Sequence, residues 1–149
     1  MDDLSVLYQE IILDHSRNPR CFGDLDPCDQ CVEGINPLCG DEIKLFLSGS
    51  KTHIKELKFT GHGCAISIAS ASILCSQLEG LEVGEAKKIL QAYQAMLTQA
   101  DAPAQLLKKL EVFRGVKQFP SRIKCATLAS HAILSVLSGE TSTVTTESE

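Results

Sequence analysis

A basic surplus, a long apolar run and the common hydrolase and nucleotide signatures are all missing from this chain of 149 residues. Lys and Arg number 14 against 19 Asp and Glu, a net charge of -5. Nothing in that balance offsets a phosphate backbone or an anionic bilayer, so the expected partners include no nucleic acid and no membrane. No apolar run approaches the roughly 20 residues that cross a bilayer. The chain opens on Asp2 and Asp3 rather than on the basic start of a signal peptide, and a cytoplasmic protein is expected. There is no Ser-His-Asp ordering and no G-x-G-x-x-G fingerprint, because Gly61-His62-Gly63 runs straight into Cys64 and an apolar stretch. Classical hydrolases and dinucleotide enzymes are thereby excluded.

What is present is cysteine, seven in all, in a chain that is 44% hydrophobic. A core of that size needs no disulfide staples, so the thiols point to metal or sulfur chemistry. The length fits one domain, 1–140, followed by a polar, aperiodic tail over 141–149 that is expected to be disordered.

Leu4, Leu7, Tyr8, Ile11 and Ile12 recur at helical spacing up to Asn18-Pro19, which predicts an N-terminal amphipathic helix. From Arg20 to Asn36 the chain reads as loop with one edge strand near Cys31 to Ile35. Ile43, Leu45 and Leu47 alternate with polar residues, Ser48-Gly49-Ser50 breaks the run, and Ile54 to Phe59 completes a hairpin. Ala65 to Leu78 is small and apolar and ends at Gly80, the pattern of a buried helix. Val83 to Leu97 predicts another helix, Pro103 opens a short one through Leu110, and Pro120 leads into a last helix ending before Gly139. Strands gathered early and helices gathered late give an α+β fold, an antiparallel sheet covered by helices.

Three cysteines stand where loop turns into a regular element. Cys39 lies in Pro37-Leu38-Cys39-Gly40-Asp41, Cys64 follows a Gly-x-Gly, and Cys125 falls in the first turns of the last helix. Helix N-termini stabilise thiolates, and Lys124 and Arg122 would add positive charge. Asp41 would share a side with Cys39 if the local chain were extended. Three thiolates and a carboxylate suit a tetrahedral zinc ion. Position alone leaves Cys64 and Cys125 equally open to a reading as small core residues, and Cys75, among Ile73, Leu74 and Leu78, reads as core. Cys28-Asp29-Gln30-Cys31 is a C-x-x-C without a second matched pair, so it reads as an exposed, non-catalytic pair. His62, next to Gly63-Cys64, is the histidine best placed to line a site, while His15 and His131 read as structural or surface residues.

Leu7 to His15, Asn18-Pro19-Arg20, Asn36 to Asp41, Gly61 to Ser67 and Arg122-Ile123-Lys124-Cys125-Ala126 together resemble the U-type iron-sulfur assembly proteins, which comprise IscU, the N-terminal domain of NifU, and SufU. The resemblance is strongest to the SufU branch. The segment between Cys64 and Cys125 is long, with an extra stretch around Ala102 to Phe119, and Lys124 stands where the IscU branch has a histidine. The resemblance implies a SufE/NifU-like fold with about three strands, and a site of Cys39, Asp41, Cys64 and Cys125 holding Zn2+. It further implies a sulfurtransferase-like role, accepting persulfide sulfur from a SufS-like cysteine desulfurase and passing it to downstream iron-sulfur assembly or recipient proteins. Cys39, in its Gly-flanked loop, is the expected acceptor, Arg122 matches a position tied to the partner, and Lys124 supports the thiolates. Two other roles fit the same ligands: a non-enzymatic scaffold holding a [2Fe-2S] cluster, and a structural zinc module. Cys21, Cys28 and Cys31 belong to no motif of this resemblance.

Overall fold

Alternation of apolar and polar residues in the first half of the chain builds a sheet, and the apolar faces of helices, most of them in the second half, cover it. The computed structural model describes residues 3–98, 104–140 and 142–146. Helix α1 (Asp3–Arg17) ends just before Asn18-Pro19, as its periodicity predicts. Strands β1 (Gln30–Asn36), β2 (Asp41–Gly49) and β3 (Ile54–His62) pair antiparallel in sequence order. Val32 on β1, Ile43, Leu45 and Leu47 on β2, and Leu57 and Phe59 on β3 are buried. Helices α2 (Ala65–Leu78), α3 (Val83–Thr98) and α5 (Pro120–Leu137) supply most of the rest of the core.

Helix α2 is apolar all round and is buried accordingly, from Ser67 through Cys75 and again at Leu78. Helix α5 lies close over β1 because Gly34 has no side chain: a Cβ there would stand 3.2 Å from Leu128 Cδ1. Before α5 the chain forms a short α4 (Ala104–Leu107) and then an 11-residue 3-10 segment, Lys108–Gln118, burying Leu110, Val112, Phe113 and Val116. The sequence predicts one short helix here, opened by Pro103, which lies outside the described residues.

The expected α+β architecture stands, and the sheet has one strand more than expected. Val144–Thr145 forms β4, parallel to β1 at Gly34 and Ile35, so the sheet order is β3-β2-β1-β4 and the sheet is mixed. Strand β1 is therefore an inner strand. Where composition predicts a disordered tail, this pair is ordered, because the Thr146 amide donates to the Ile35 carbonyl at 3.1 Å; Thr141 and 147–149 lie outside the described residues. Among the described residues no helix is long and apolar enough to cross a membrane.

Candidate metal centre

Three chain reversals meet at one end of the sheet. The first is the turn from Asn36 to Gly40, where the Cys39 amide donates to the Asn36 carbonyl at 3.3 Å and Gly40 takes φ +71°. The chain between Cys39 and Asp41 is thus a left-handed turn, so the condition of an extended course is not met, and Gly takes that φ with least strain. Asp41 opens β2 and is 1% exposed. The second reversal ends β3 at Gly63, where a Cβ would overlap the Asp41 carboxylate and come within 3.0 Å of Asp41 Cα. The missing side chain lets the Cys64 amide donate to Asp41 Oδ1 at 2.9 Å. Cys64 then caps α2, its sulfur accepting from the Ser67 amide at 3.4 Å. The third is the start of α5, opened by Pro120, with Cys125 fully buried one turn further on.

The ligand atoms of Cys39, Asp41 and Cys125 all lie within 4.8 Å of one another, the one such group among the described residues. The Cys125 and Cys39 sulfurs are 3.3 Å apart. Cys64 lies outside that mutual distance, although its thiol hydrogen-bonds Cys125. Two sulfurs and a carboxylate oxygen already converge, and the fourth predicted donor touches the group, so the donor set fits zinc or an iron-sulfur centre.

Burial pushes the Cys125 thiol well up, and hydrogen bonds to Cys39, Asp41 and Cys64 push the same way. This reverses the expectation of a thiolate favoured by the helix N-terminus: Cys125 lies in the second turn, its sulfur 3.8 Å from the Ser121 carbonyl. The Cys125 thiol therefore keeps its proton until a cation displaces it. Arg122 supplies some positive charge. Its exposed guanidinium hydrogen-bonds Cys125 and feels the charges of Cys64 and Cys39, which hold its pKa up. Lys124 immediately precedes Cys125 on α5 and is partly buried; successive helical residues point about 100° apart, so the two do not share a direction.

Asn36 is the residue that sequence reasoning missed. Fully buried, it donates through Nδ2 to Asp41 Oδ2 at 3.1 Å and to Cys125 Sγ at 3.5 Å. Its own carbonyl oxygen accepts from Thr146 Oγ1 at 3.0 Å. The only signal available was its place two residues before Leu38-Cys39 in the Asn-Pro turn.

His62 does not line the centre. It pairs across the strands with Glu42, Nε2 to Oε2 at 3.2 Å, on the exposed face. His15 is structural as expected, buried with Nδ1 2.7 Å from Ser72 Oγ. Cys75 is core.

An α+β frame carrying a cysteine and aspartate metal centre at the end of its sheet is the class of protein that fold and site define. Residues 7–126 match the family described as the NifU-like N terminal domain, and the chain belongs to that family. It is 36% identical over 132 residues to the zinc-dependent sulfurtransferase SufU of Bacillus subtilis, covering 88% of this chain and 89% of that one. It is 37% identical over 134 residues to the iron-sulfur cluster assembly scaffold protein IscU of Streptococcus pyogenes, covering 89% and 84%. Among solved structures it resembles an iron-sulfur cluster assembly scaffold protein for the SUF system from Fervidobacterium islandicum, with TM-score 0.84 and 31% identity over 89% of this chain and 97% of that one.

Proposed function

We propose that the chain serves iron-sulfur cluster assembly as a zinc-dependent acceptor of persulfide sulfur from a cysteine desulfurase. The observation that carries the reading is the convergence of Cys39, Asp41 and Cys125, with Cys39 on the turn between β1 and β2 beside the left-handed Gly40. Cys125 is fixed in a helix and Cys64 caps one. Cys39 is partly exposed beside Leu38, which is 68% exposed, and Phe119 is exposed one turn before Arg122. Cys39, Asp41, Cys64 and Cys125 would hold the zinc, which when bound keeps thiolates deprotonated, ordered and exchangeable.

In the transfer the Cys39 thiolate attacks the outer sulfur of the partner's persulfide. A new S–S bond forms at Cys39 Sγ, the partner's S–S bond breaks, and the electron pair leaves on the partner's cysteine thiolate. Arg122, at the rim and bonded to Cys125, stabilises negative charge on the thiolates during the exchange. Asn36 holds the Asp41 carboxylate in place while the sulfur ligand departs.

The second reading, a scaffold for a [2Fe-2S] cluster, rests on the same sulfurs and on the likeness to the Streptococcus pyogenes scaffold. Metal and acid-labile sulfide analysis of protein purified without air separates the two. About one zinc per chain without sulfide, together with stimulation of a SufS-like desulfurase that is lost in Cys39→Ser, is the result expected. Iron with matching sulfide would make the scaffold reading the correct one, and full stimulation by Cys39→Ser would move the acceptor role elsewhere.

A further inference from the structure

Cys28 and Cys31 lie away from the centre and no step above uses them. Cys31 is the second residue of β1, opposite Phe46, while Asn36 is the last. At about 3.3 Å per residue, the pair stands roughly 17 Å along the strand from the metal ligands. Both thiols are partly exposed and are hydrogen-bonded to each other.

The residues between them are pinned. The Asp29 amide donates to the Leu47 carbonyl at 2.8 Å, and Asp29 Oδ2 accepts from the Gly49 amide at 2.8 Å. The C-x-x-C turn is therefore clamped on both sides to the far end of β2, and its two sulfurs are already neighbours.

A metal site is the weaker use of this pair. Asp29 is committed to Gly49, and among the described residues no third donor joins the two sulfurs. Pairing with another cysteine is equally disfavoured. Cys21 packs against the core, where its thiol acts on the fully buried Cys75.

We propose that Cys28 and Cys31 form a dithiol site, separate from the metal centre, that closes to an intramolecular disulfide by exchange with low-molecular-weight disulfides of the glutathione type. One thiolate of the pair attacks a sulfur of the small disulfide and expels one small thiolate, giving a mixed disulfide. The second protein thiolate then attacks the protein sulfur of that bond and expels the other small thiolate. In balance, two protein thiols are oxidised to one S–S bond, and one small disulfide is reduced to two small thiols that take up the two protons.

Burial and the neighbouring Cys31, Asp26 and Asp29 push the Cys28 thiol up. That is the opposite of the strongly oxidising dithiols, whose reduced form is stabilised as thiolate. The closing of the pair therefore rests on the nearness of its two sulfurs rather than on a stabilised thiolate. The disulfide would form at the entry to β1, outside the metal-ligand group.

The experiment uses the full chain with its metal, incubated in glutathione buffers from fully reduced to fully oxidised, acid-quenched and alkylated. Cleavage after Arg20 and Glu33 releases one peptide carrying Cys21, Cys28 and Cys31 and separates it from Cys39. The expected product under oxidising poise is that peptide two hydrogens lighter, alkylated at Cys21 alone. Cys28→Ser is expected to leave Cys31 as a persistent glutathione adduct, with metal content unchanged. The proposal is overturned if Cys28 and Cys31 both alkylate in pure glutathione disulfide, if each carries its own glutathione, or if the bridge runs to Cys21. Loss of metal in Cys28→Ser would equally overturn the separation of the two sites.

Discussion

The Asn36 amide holds Asp41 from behind: its Nδ2 stands 3.1 Å from Asp41 Oδ2 and 3.5 Å from Cys125 Sγ. One buried amide thus orients a carboxylate and a thiol of the same centre. Groups that orient metal ligands typically contribute about 10- to 100-fold in affinity. Asn36→Ala is expected to weaken zinc by that factor in a competition titration against a chelator, with the fold retained. Unchanged affinity would mean that Asp41 needs no such support.

Gly63 is the second place where the centre depends on a residue that bears no ligand. A Cβ there overlaps the Asp41 carboxylate, and the backbone sits at φ +156°. Gly63→Ala is expected to displace Asp41 and cost most of the bound metal. Gly84→Ala, in α3 with nothing within 4 Å, is the matched control. It should keep its metal and gain about 0.5–1 kcal/mol from lower chain entropy. Elemental analysis and urea denaturation of the two variants check both arms.

His15 makes stability depend on pH. Burial first, then the charges of Arg20 and Lys109, lower its pKa to about 4, with Asp14 opposing. The unfolded chain titrates near the ordinary value, so it binds a proton that the folded chain refuses. The contribution is full above pH about 6.5 and is lost as pH falls toward 4, on the order of 3 kcal/mol in all. Urea unfolding of wild type and His15→Gln between pH 7 and 4.5 should show the wild type losing more stability with acid, since metal release is common to both. Parallel profiles would assign the acid sensitivity to other groups.

A polar knot sits directly behind Cys125. Tyr93 Oη and Ser70 Oγ both donate to the Ala126 carbonyl, at 2.8 and 2.7 Å. Burial pushes the Tyr93 phenol far up, so it stays a donor over the working pH range. Tyr93→Phe leaves Ser70 on that carbonyl and is expected to cost about 1 kcal/mol by denaturation, with metal content intact.

Much of this was legible in the sequence. The bounds of α2 and the end of α5 follow from apolar runs closed by Gly80 and Gly139. Cys39, Asp41, Cys64 and Cys125 stand out as ligand types at chain reversals, and the structure brings three of them within 4.8 Å. Asn36 stayed hidden because a turn asparagine before proline looks the same whether its amide faces water or a carboxylate. Strand β4 stayed hidden because two residues in a polar tail have no period, and their order comes from β1. His62 misled because nearness in sequence to Cys64 is not a shared direction: the register of β3 turns it to Glu42. The 3-10 segment begins at Lys108, whose φ of +49° breaks the α-helix, which no propensity scale assigns to lysine.

Strand β4 also decides how a visitor can approach the sheet. Its two residues occupy the open side of β1 at Gly34 and Ile35, while on the opposite border Phe22 bridges β3 at Phe59. Each border thus carries a short plug that takes up hydrogen-bonding groups an incoming strand would seek. A protein that tried to lengthen the sheet would first have to evict one of them, and on the β4 side the eviction would also strip Thr146 from Asn36.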